Sequence, residues 1–360
     1  MTKITYLGFI QNIKSSPKYI RWTQWEYWPM AAFYIPVFPY YVFLSAKAGH
    51  PFFYVAANPG IKSGGSGFES KYDTIKMLPQ KWAPKTVLAQ KGISFDSLKI
   101  ALRQKGIDFP MIAKPDVGFR GLLVEKVNNF EQLKAHIQKH RVDFIIQEFI
   151  ESPIEFSVFY HKIPGESKGK ITSLTIKEFL QIDGDGQTKF GDLLNKSPRA
   201  KVILEDLHLR YKNLWHTIPV KGKKIKVVEI GNHCRGTHFI NGNHLIDKQL
   251  HQTFDELNQK VSGWNYGRVD VRCESIEALK TGKFKIIEIN GVLSEPTHIY
   301  DAAQSTYWKA VKEIARHWKI LYQVATKNHD KFGAQYDDAW EYIQSVKALR
   351  KYVKGLSTSG

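Results

Sequence analysis

Short apolar runs separated by polar turns follow one another between residues 108 and 180, a pattern typical of β-strands. Five strands are predicted there, with the sequences FPMIAKP, LLVEKV, VDFIIQEFI, IEFSVFY and GKITSLTIKEFL. Two stretches instead repeat their apolar positions at helical spacing. They predict helices over 94–105 and 129–140, and the second of these starts on an Asn cap.

The second half of the chain mixes both patterns. Helices are predicted near Lys201 to Trp215 and around Leu245 to Val261, and strands at KIKVVEI, GRVDVR and FKIIEI. The C-terminal region carries two amphipathic helical patterns, WKAVKEIARHWKILYQVA and DAWEYIQSVKALRKYV. Because strands and helices do not alternate strictly, an α+β fold is expected rather than a doubly wound sheet.

An uncharged, aromatic-rich segment interrupts these patterns near the N-terminus. From Tyr27 to Ala46 twenty residues pass without a charge, a length that could span a bilayer. Pro29, Pro36 and Pro39 would each remove a helical hydrogen bond, and Trp and Tyr beside Lys and Arg also suit a membrane interface. Three interpretations therefore stay open: a buried or packing segment, a peripheral contact with a membrane, and a membrane span.

Composition narrows the classes of function. The 360 residues are 43% hydrophobic and 24% charged, which is typical of a globular chain with two or three packed units. Lys and Arg outnumber Asp and Glu by 52 to 34, and the net charge of +18 favours anionic partners such as nucleotides or an acidic substrate, unless it is only a basic surface. The sequence has no RNP-like stretch, zinc finger or basic heptad region, so no nucleic-acid partner is expected.

Cysteine content and the N-terminal sequence bear on the compartment. Cys234 and Cys273 are too few for a disulfide framework or a zinc site, so a reducing compartment is expected. The sequence MTKITYLGFIQNIK has too short an apolar stretch for a signal peptide. The cytoplasm is therefore the expected location, with membrane association as the alternative left by residues 27–46.

The sharpest chemical pattern lies in the segments GRVDVR and IIEIN. Residues two apart in a strand face the same side, so Arg268 points with Asp270, and Glu288 points with Asn290. An antiparallel hairpin of the two strands would gather a guanidinium, two carboxylates and an amide oxygen on one face. Such oxygen ligands suit Mg²⁺ held together with substrate phosphates, whereas the alternative is a solvated sheet face with an Arg–carboxylate pair.

Three further segments could face a nucleotide. In AKPDVGFRG, Lys114 closes a strand before Gly118 and Gly121, so backbone amides could approach a polyphosphate beside a fixed positive charge. In IIQEFIESPIEF an apolar strand enters a polar connector, where Glu155 could accept from ribose hydroxyls. The Gly-rich segment NPGIKSGGSGFESK, residues 58–71, has the composition of a flexible or phosphate-facing loop. Each segment alone also fits an ordinary turn or an exposed strand end.

Taken in order, these segments resemble the ATP-grasp superfamily, in particular the branch similar to D-alanine–D-alanine ligase and related carboxylate–amine ligases. The resemblance covers about residues 70 to 301. It implies an ATP-grasp fold, in which two α+β subdomains clasp ATP, here with an aromatic-rich N-terminal domain and a C-terminal helical extension. The expected segments are an N-terminal pre-grasp domain over residues 1–108 and a small grasp subdomain over 109–182. They are followed by a central subdomain with the metal site over 183–305 and by C-terminal helices over 306–360.

The resemblance also implies roles for individual residues. ATP would be contacted by Lys71, Lys114, Gly118, Gly121, Gln147, Glu148, Ile150, Glu155 and Lys177. Mg²⁺, or Mn²⁺ in its place, would be held by Asp270, Glu288 and Asn290. Arg268 would be the catalytic residue that stabilises the oxyanion. Substrate contacts are expected from Asn232, Arg235, Ser294, Glu295 and His298.

Departures from that family leave the substrates open. The His-Gly and Gly-Glu-Asp-Gly patterns of true D-alanine–D-alanine ligases are absent from the N-terminal sequence. The expected partners besides ATP are therefore an unidentified small-molecule carboxylate and an amine. The implied reaction forms an amide through an acyl phosphate and releases ADP and phosphate. Two alternatives are an ATP-grasp phosphotransferase with a non-carboxylate acceptor and a membrane-surface binding protein with a degenerate nucleotide fold. The sequence does not indicate an oligomeric state.

Overall fold

The computed structural model of the chain describes residues 16–118, 121–229 and 231–358. In this part of the chain the α-helices, numbered α1 to α13, are Pro17–Thr23, Met30–Tyr34, Phe38–Ala48, Lys71–Lys76, Phe95–Lys105, Phe130–His140, Phe190–Lys196, Pro198–Val202, Leu204–Arg210, Lys248–Lys260, Ile276–Lys280, Tyr307–Phe332 and Ala339–Thr358. The strands β1 to β11 are Thr86–Ala89, Met111–Pro115, Glu125–Val127, Phe144–Glu148, Ile154–His161, Lys170–Glu178, Gln181–Asp183, Lys224–Lys226, His238–Asn241, Tyr266–Cys273 and Lys285–Asn290. Helices and antiparallel strand pairs occur together, which confirms the predicted α+β class.

Side-chain caps start two helices where the sequence predicted them. The Ser94 hydroxyl accepts a hydrogen bond from the Ser97 amide at 3.1 Å at the start of α5. At the start of α6 the Asn129 side chain accepts from the Gln132 amide at 2.9 Å. Each cap satisfies a backbone donor that the first turn leaves unpaired, a contribution of about 1 kcal/mol. Both predicted helices are confirmed, as are the two C-terminal amphipathic helices, α12 and α13.

Three predicted elements are shorter than their apolar patterns. The helix predicted near Lys201 to Trp215 is divided into α8 and α9, because Ile203 between them has φ −120° and ψ 23°, outside the helical range. The strand predicted for LLVEKV is reduced to β3, because Leu123 has a φ of 53°, which an extended strand does not contain. Only the first three residues of KIKVVEI form β8. Ile230 at the end of that stretch lies outside the described residues, as do Phe119, Arg120 and MTKITYLGFIQNIK.

The chain divides into two compact units, and each is assembled from three stretches of sequence. Unit 1 comprises Met1–Pro36, Lys177–Ile240 and Ile299–Val311. Unit 2 comprises Val37–Ile176, Asn241–His298 and Lys312–Gly360. The four consecutive segments expected from the sequence stay a prediction.

Unit 1 contains the antiparallel pair of β7 and β8 and the short helices α7 to α9. Its apolar core includes Phe190, Leu194 and Leu207. The buried carboxylate of Glu26 lies 2.9 Å from Arg199 Nη2 and 3.0 Å from His233 Nε2. Burial acts to raise the pKa of Glu26, but the hydrogen bond from His233 and the charge of Arg199 outweigh it and lower the pKa, so this carboxylate is kept ionised.

Unit 2 contains a four-stranded antiparallel sheet in the order β1-β4-β2-β3. Helices α5 and α6 supply Leu98, Leu102 and Leu133 to a core that also holds Phe144 and Ile146 of β4. Side chains alternate across a strand, so this core leaves the intervening residues of β2 and β4 on the opposite face. Lys114 and Gln147, which were predicted to contact ATP, lie on that opposite face.

Unit 2 also contains the strands β11, β10, β5 and β6, which are neighbours in that order. On one face of these strands Val158, Val269 and Ile286 are fully buried against α10, whose Phe254 and Leu257 share the same core. The positions in between place a largely polar set of side chains on the other face. The apolar face therefore holds the strands in place against α10, and the polar face carries the side chains that could bind a ligand.

The aromatic segment predicted near the N-terminus forms two short helices, α2 and α3. Pro36 lies between them, and Pro39 is in the first turn of α3, where its missing N–H removes no helical hydrogen bond. The segment is mixed in burial: Phe33 and Leu44 are buried, whereas other apolar side chains are exposed. Among the described residues, none of the helices combines the length and the apolar character that crossing a bilayer requires.

Candidate functional site

Strands β10 and β11 form the antiparallel pair that the sequence predicted, although α11 lies in the connection between them. Arg268 is paired with Asn290, and Asp270 is paired with Glu288. Directly paired residues share a face of the sheet, as do residues two apart in one strand. The guanidinium, the two carboxylates and the amide therefore lie in two adjacent cross-strand pairs.

A β-bulge separates this polar face from the core. After the pair of Asp270 and Glu288 the register shifts, and Val271 pairs with Ile286. In an unshifted register Val271 would oppose Ile287, and the buried Ile286 would fall on the polar face. The carbonyl oxygen of the extra residue, Ile287, accepts a hydrogen bond from Lys114 Nζ at 2.9 Å. The bulge thus keeps Ile286 in the core and supplies an acceptor to the site.

Asp270 is held at the centre of the polar face. The residue is 4% exposed, and its carboxylate accepts hydrogen bonds from Ser157 Oγ at 2.5 Å and from Arg268 Nε at 3.0 Å. Burial acts to lower the pKa of Arg268, but Asp270 and Glu288 outweigh it and raise the pKa. A buried carboxylate that is held by a charged partner and a hydroxyl donor has a fixed position, and its oxygens are of the kind that a hard metal ion such as Mg²⁺ prefers.

Asp116 holds the start of helix α4, the helix that carries Lys71. One oxygen of its carboxylate accepts from the Tyr72 amide at 2.8 Å and from the Ser70 hydroxyl at 3.0 Å. Its carbonyl oxygen accepts from the Lys71 amide at 3.0 Å. An acidic side chain at a helix N-terminus satisfies free N–H groups and interacts favourably with the helix dipole. The segment after β2 and the Gly-rich segment before α4 are joined at this point.

Lys71 extends from the start of α4 toward β11. Its Nζ donates a hydrogen bond to the carbonyl oxygen of Gly118 and lies 3.8 Å from Glu288 Oε1. Gly118 has a φ of 142° and Gly121 a φ of 71°, and both conformations favour glycine. Between these glycines lie Phe119 and Arg120, outside the described residues. Lys71 therefore connects the predicted phosphate loop with a predicted metal ligand.

Lys114 projects from β2 toward the same strand, β11. Besides Ile287, its Nζ donates to Gln147 Oε1 at 3.2 Å. Burial lowers the pKa of Lys114 from its usual 10.5 to about 8, and the neighbouring charge of Lys71 acts in the same direction while Glu288 opposes both. A buried ammonium whose pKa is depressed gains stability when a polyanion binds beside it.

The predicted nucleotide-contacting stretch after β4 is already engaged by neighbouring residues. Gln147 donates from Nε2 to Thr86 Oγ1 at 3.2 Å while it accepts from Lys114. Glu148 accepts from the Lys85 amide at 2.9 Å. These contacts hold the end of β4 in one conformation, and the adenine-contact role of the stretch stays a prediction.

Glu155 lies in a buried ion pair that the sequence reasoning missed. Arg272 Nε donates to Glu155 Oε2 at 3.0 Å, and Arg272 Nη1 donates to the carbonyl oxygen of Ile150 at 2.9 Å. The two paired residues face each other in the β10–β5 register. The signal was present, because Arg272 is two residues beyond Asp270 and so on the same face. Ser157 was also missed, although it pairs directly with Asp270.

The Gly-rich segment packs backbone to backbone against the end of β11. The Val292 amide donates to the Gly64 carbonyl oxygen at 3.1 Å. Gly65 has a φ of 81°, and a Cβ on it would lie 2.7 Å from the Cα of Gly291. Glycine is needed at both positions for this close approach. The loop is therefore held beside Asn290, the residue before Gly291.

Two buried polar atoms near this contact make no hydrogen bond with any described residue. They are Nδ2 of Asn290 and Oγ of Ser66. A buried polar group without a hydrogen-bond partner costs about 1–3 kcal/mol, so such atoms call for an explanation. An Asn side chain can present either its N–H group or, rotated by half a turn, its oxygen. A ligand beside Asn290 would satisfy this amide.

Asp270, Glu288 and Asn290 fit a magnesium site completed by phosphate oxygens. Among the described residues no cluster of three or more His, Cys, Asp and Glu side chains could hold a metal ion. A site for zinc or calcium built by protein groups alone would need more ligands than two carboxylates and an amide. Mg²⁺ differs, because one or two carboxylates together with substrate phosphates and waters suffice. With its side chain rotated by half a turn, Asn290 would present its amide oxygen at the position of the unpaired nitrogen and complete that set.

Predicted substrate residues after Asn290 also lie in unit 2. Ser294 donates from Oγ to the Gly291 carbonyl oxygen at 2.6 Å and so closes the turn after β11. The charge of Glu295 is one of those that raise the pKa of Arg268. His298 Nδ1 lies 2.7 Å from Ser173 Oγ, and burial lowers the pKa of His298 to about 4, so its imidazole is neutral near pH 7.

The remaining predicted residues belong to unit 1. Lys177 is buried, with its Nζ 5.8 Å from the centroid of the Phe239 ring. The backbone carbonyl of Asn232 accepts from the Arg235 amide at 3.0 Å in a short 3₁₀ turn. Burial lowers the pKa of Arg235. Their roles toward phosphate and substrate stay predictions.

Comparison with known proteins gives distant structural similarities. Neither a family model nor a curated protein sequence matches the chain. The VanG D-Ala:D-Ser ligase from Enterococcus faecalis is 14% identical over 74% of this chain and 64% of its own, with a TM-score of 0.41. A bifunctional glutathione synthetase from Pasteurella multocida is 15% identical over 70% and 36%, with a TM-score of 0.37. A D-alanine–D-alanine ligase from Bacillus anthracis is 14% identical over 75% and 69%, with a TM-score of 0.39.

The chain thus spans less than two thirds of the length of the first two of these ligases. Likenesses this distant fix neither substrates nor residues. The contacts around β10 and β11 have to support the function by themselves.

Proposed function

We propose that the chain is an ATP-dependent carboxylate–amine ligase of the ATP-grasp type. The observation that carries the proposal is the convergence on β11 of two lysines from separate segments. Lys71 lies 3.8 Å from Glu288, and Lys114 donates to the carbonyl oxygen of Ile287. Asp270 is the cross-strand partner of Glu288. Two cations beside two carboxylates are the groups needed to bind a polyphosphate and its metal ion together.

Each of these residues would have a separate role. Asp270, Glu288 and Asn290 would hold Mg²⁺, which neutralises charge on the ATP phosphates when bound. Lys71 and Lys114 would contact phosphate oxygens. Lys71 would exchange its bond to a backbone carbonyl for a stronger one to an anion. The unpartnered amide of Asn290 and hydroxyl of Ser66 support the same assignment, because a bound nucleotide–metal complex would satisfy polar atoms that are otherwise unpaired.

The proposed reaction has two steps. A carboxylate oxygen of the first substrate attacks the γ-phosphorus, the bond from that phosphorus to the bridging oxygen breaks, and ADP leaves with an acyl phosphate formed. The nitrogen of an amine then attacks the acyl carbon, the carbon–oxygen bond to phosphate breaks, and the nitrogen loses a proton. Arg268 would stabilise the oxyanion of the second step, because its guanidinium is already ordered by Asp270 and needs no reorganisation.

Loss of a carboxylate at the proposed metal site tests the assignment. Glu288→Gln and Asp270→Asn are expected to lower ADP release on the order of a hundredfold or more, because the metal loses a charged ligand. Glu256→Gln is the matched control, since that carboxylate lies in a surface ion pair with Lys81 and Lys260. Circular dichroism establishes that each variant is folded. Turnover of Glu288→Gln equal to that of the control would refute the metal role.

Hydroxylamine trapping tests the class of acceptor. An acyl phosphate reacts with hydroxylamine to give a hydroxamate, whereas a phosphorylated alcohol or amine does not. ADP release should first be screened with pairs of amino acids, small peptides and polyamines to find an active pair. Hydroxamate formation that needs the carboxylate but not the amine is the expected result. ADP release without a hydroxamate would favour a phosphotransferase.

A further inference from the structure

Helix α3 presents a continuous apolar face to solvent. Phe38 and Phe43 are each 59% exposed, and Val42 between them is 48% exposed. Pro39 and Ala46 are exposed as well. Residues at these spacings of three and four lie along one side of a helix. Large exposed apolar side chains that occur singly are normal, whereas a whole helical stripe of them marks an interaction surface.

The opposite side of α3 is anchored, so this exposure is not the result of a loosely placed helix. Leu44 is buried, and the Tyr41 ring packs edge-on against Trp318 of α12 with 5.1 Å between ring centroids. The Tyr41 hydroxyl donates to the carbonyl oxygen of Pro51 at 2.6 Å. Packing on one side and the apolar stripe on the other leave Lys47 as the only charged residue of α3, whereas a surface helix normally has a charged face.

Charge near the stripe indicates what covers it. The segment from Tyr27 to Ala46 has no acidic residue, and the next residue, Lys47, is exposed. The whole chain carries +18, so a second copy approaching this face would be repelled, whereas an anionic bilayer would attract it.

We propose that the stripe of Phe38, Val42 and Phe43 docks on the surface of an anionic membrane. The 11 residues of α3 extend only about 16 Å, so the helix would lie in the plane of the interface. The two rings and Val42 would enter the boundary between headgroups and acyl chains, and Lys47 would contact anionic headgroups. Aromatic residues beside lysine are the combination that membrane interfaces favour.

Sedimentation of the full chain with vesicles tests the proposal. The vesicles are phosphatidylcholine alone, or phosphatidylcholine with about a third phosphatidylglycerol. The wild type should sediment with the anionic vesicles and less with the neutral ones. The triple variant Phe38→Gln, Val42→Gln, Phe43→Gln should partition at least about a hundredfold more weakly, since each large apolar side chain contributes on the order of tenfold. ATP turnover of the triple variant should be unchanged.

A second triple variant controls for the loss of exposed apolar side chains in general. Ile100→Gln, Phe332→Gln and Trp340→Gln replace three side chains that are 54%, 59% and 65% exposed and lie outside α3. This variant should sediment like the wild type. Equal binding by both triple variants, or no wild-type binding to anionic vesicles, overturns the proposal. Light scattering that shows a wild-type dimer, lost only in the α3 variant, would assign the stripe to a second copy instead.

Discussion

Replacing Lys114 with Met is expected to stabilise the ligand-free protein at neutral pH while it removes nucleotide binding. Burial lowers the pKa of Lys114 from 10.5 to about 8, so near pH 7 the folded protein carries a buried charge that costs about 3 kcal/mol. The hydrogen bonds to Gln147 and Ile287 offset about 1 kcal/mol each. Met fills a similar volume without the charge, so Lys114→Met should be more stable by about 1 kcal/mol.

The sign of this difference should reverse at high pH. Between about pH 8 and 10.5 the unfolded chain binds a proton that folded Lys114 has released, so the wild-type free energy of unfolding rises through that window. The variant lacks this rise. The wild type is therefore expected to become the more stable of the two, by about 2 kcal/mol once Lys114 is neutral in the unfolded chain as well as in the folded protein, because it keeps both hydrogen bonds.

Urea denaturation of both proteins from about pH 7 to about pH 10 measures the difference between their free energies of unfolding. The contributions of the other titrating groups cancel in this difference, because both proteins contain them. Titration with ATP and Mg²⁺ measures the loss of nucleotide binding. Lys105→Met, on an exposed residue at the end of α5, controls for the loss of one lysine and should bind ATP normally. Unfolding free energies of wild type and Lys114→Met that run parallel across the pH range would refute the reasoning.

Two further substitutions test how the site is supported. Glu155→Gln removes the carboxylate from the buried guanidinium of Arg272 and should lower the free energy of unfolding, measured by urea denaturation, by about 3 kcal/mol. The control Glu256→Gln changes an exposed ion pair and should lower it by less than about 1 kcal/mol. Equal losses in the two variants would contradict the stabilising role of the buried pair. Gly65→Ala forces a Cβ to within 2.7 Å of a facing backbone, whereas Gly92→Ala, at a similar φ of +87°, meets nothing within 4 Å. Gly92→Ala should lower the free energy of unfolding by roughly 1–2 kcal/mol, and Gly65→Ala should lower it by more. Gly65→Ala should also lower ATP turnover. Similar melting temperatures of the two variants would contradict this.

The period of two along strands predicted that Arg268 shares a face with Asp270, and Glu288 with Asn290, because that rule needs only local sequence. The register that pairs Asp270 with Glu288 came from the structure. The bulge after Asp270 was not predictable in the same way, since nothing in the residues of either strand distinguishes a shifted register from an unshifted one. It was decided by the need to bury Ile286.

Contacts between distant segments were the other part that sequence did not reveal. The role of Asp116 depends on its carboxylate meeting the start of α4, which lies more than forty residues earlier in the chain. Arg272 and Glu155 are likewise brought together only by the pairing of β10 with β5. Each compact unit is assembled from three stretches by such contacts. A sequence pattern does not reveal these contacts, so it can divide the chain only into consecutive segments.

The hydrogen bonds of Asn58 join segments of the chain that are synthesised at different times. Its fully buried side chain accepts from the amides of Asn265 and Tyr266 and donates to the carbonyl oxygens of Gly64 and Tyr266, across up to 208 positions. Asn328, a further stretch along the chain, holds the carbonyl oxygens of the two residues before Asn58. During translation the side chain of Asn58 therefore stays hydrated until residues 265–266 have been made, and the carbonyl groups of Ala56 and Ala57 stay hydrated until Asn328 has been made. The Gly-rich loop is therefore completed only by residues that are made long after it.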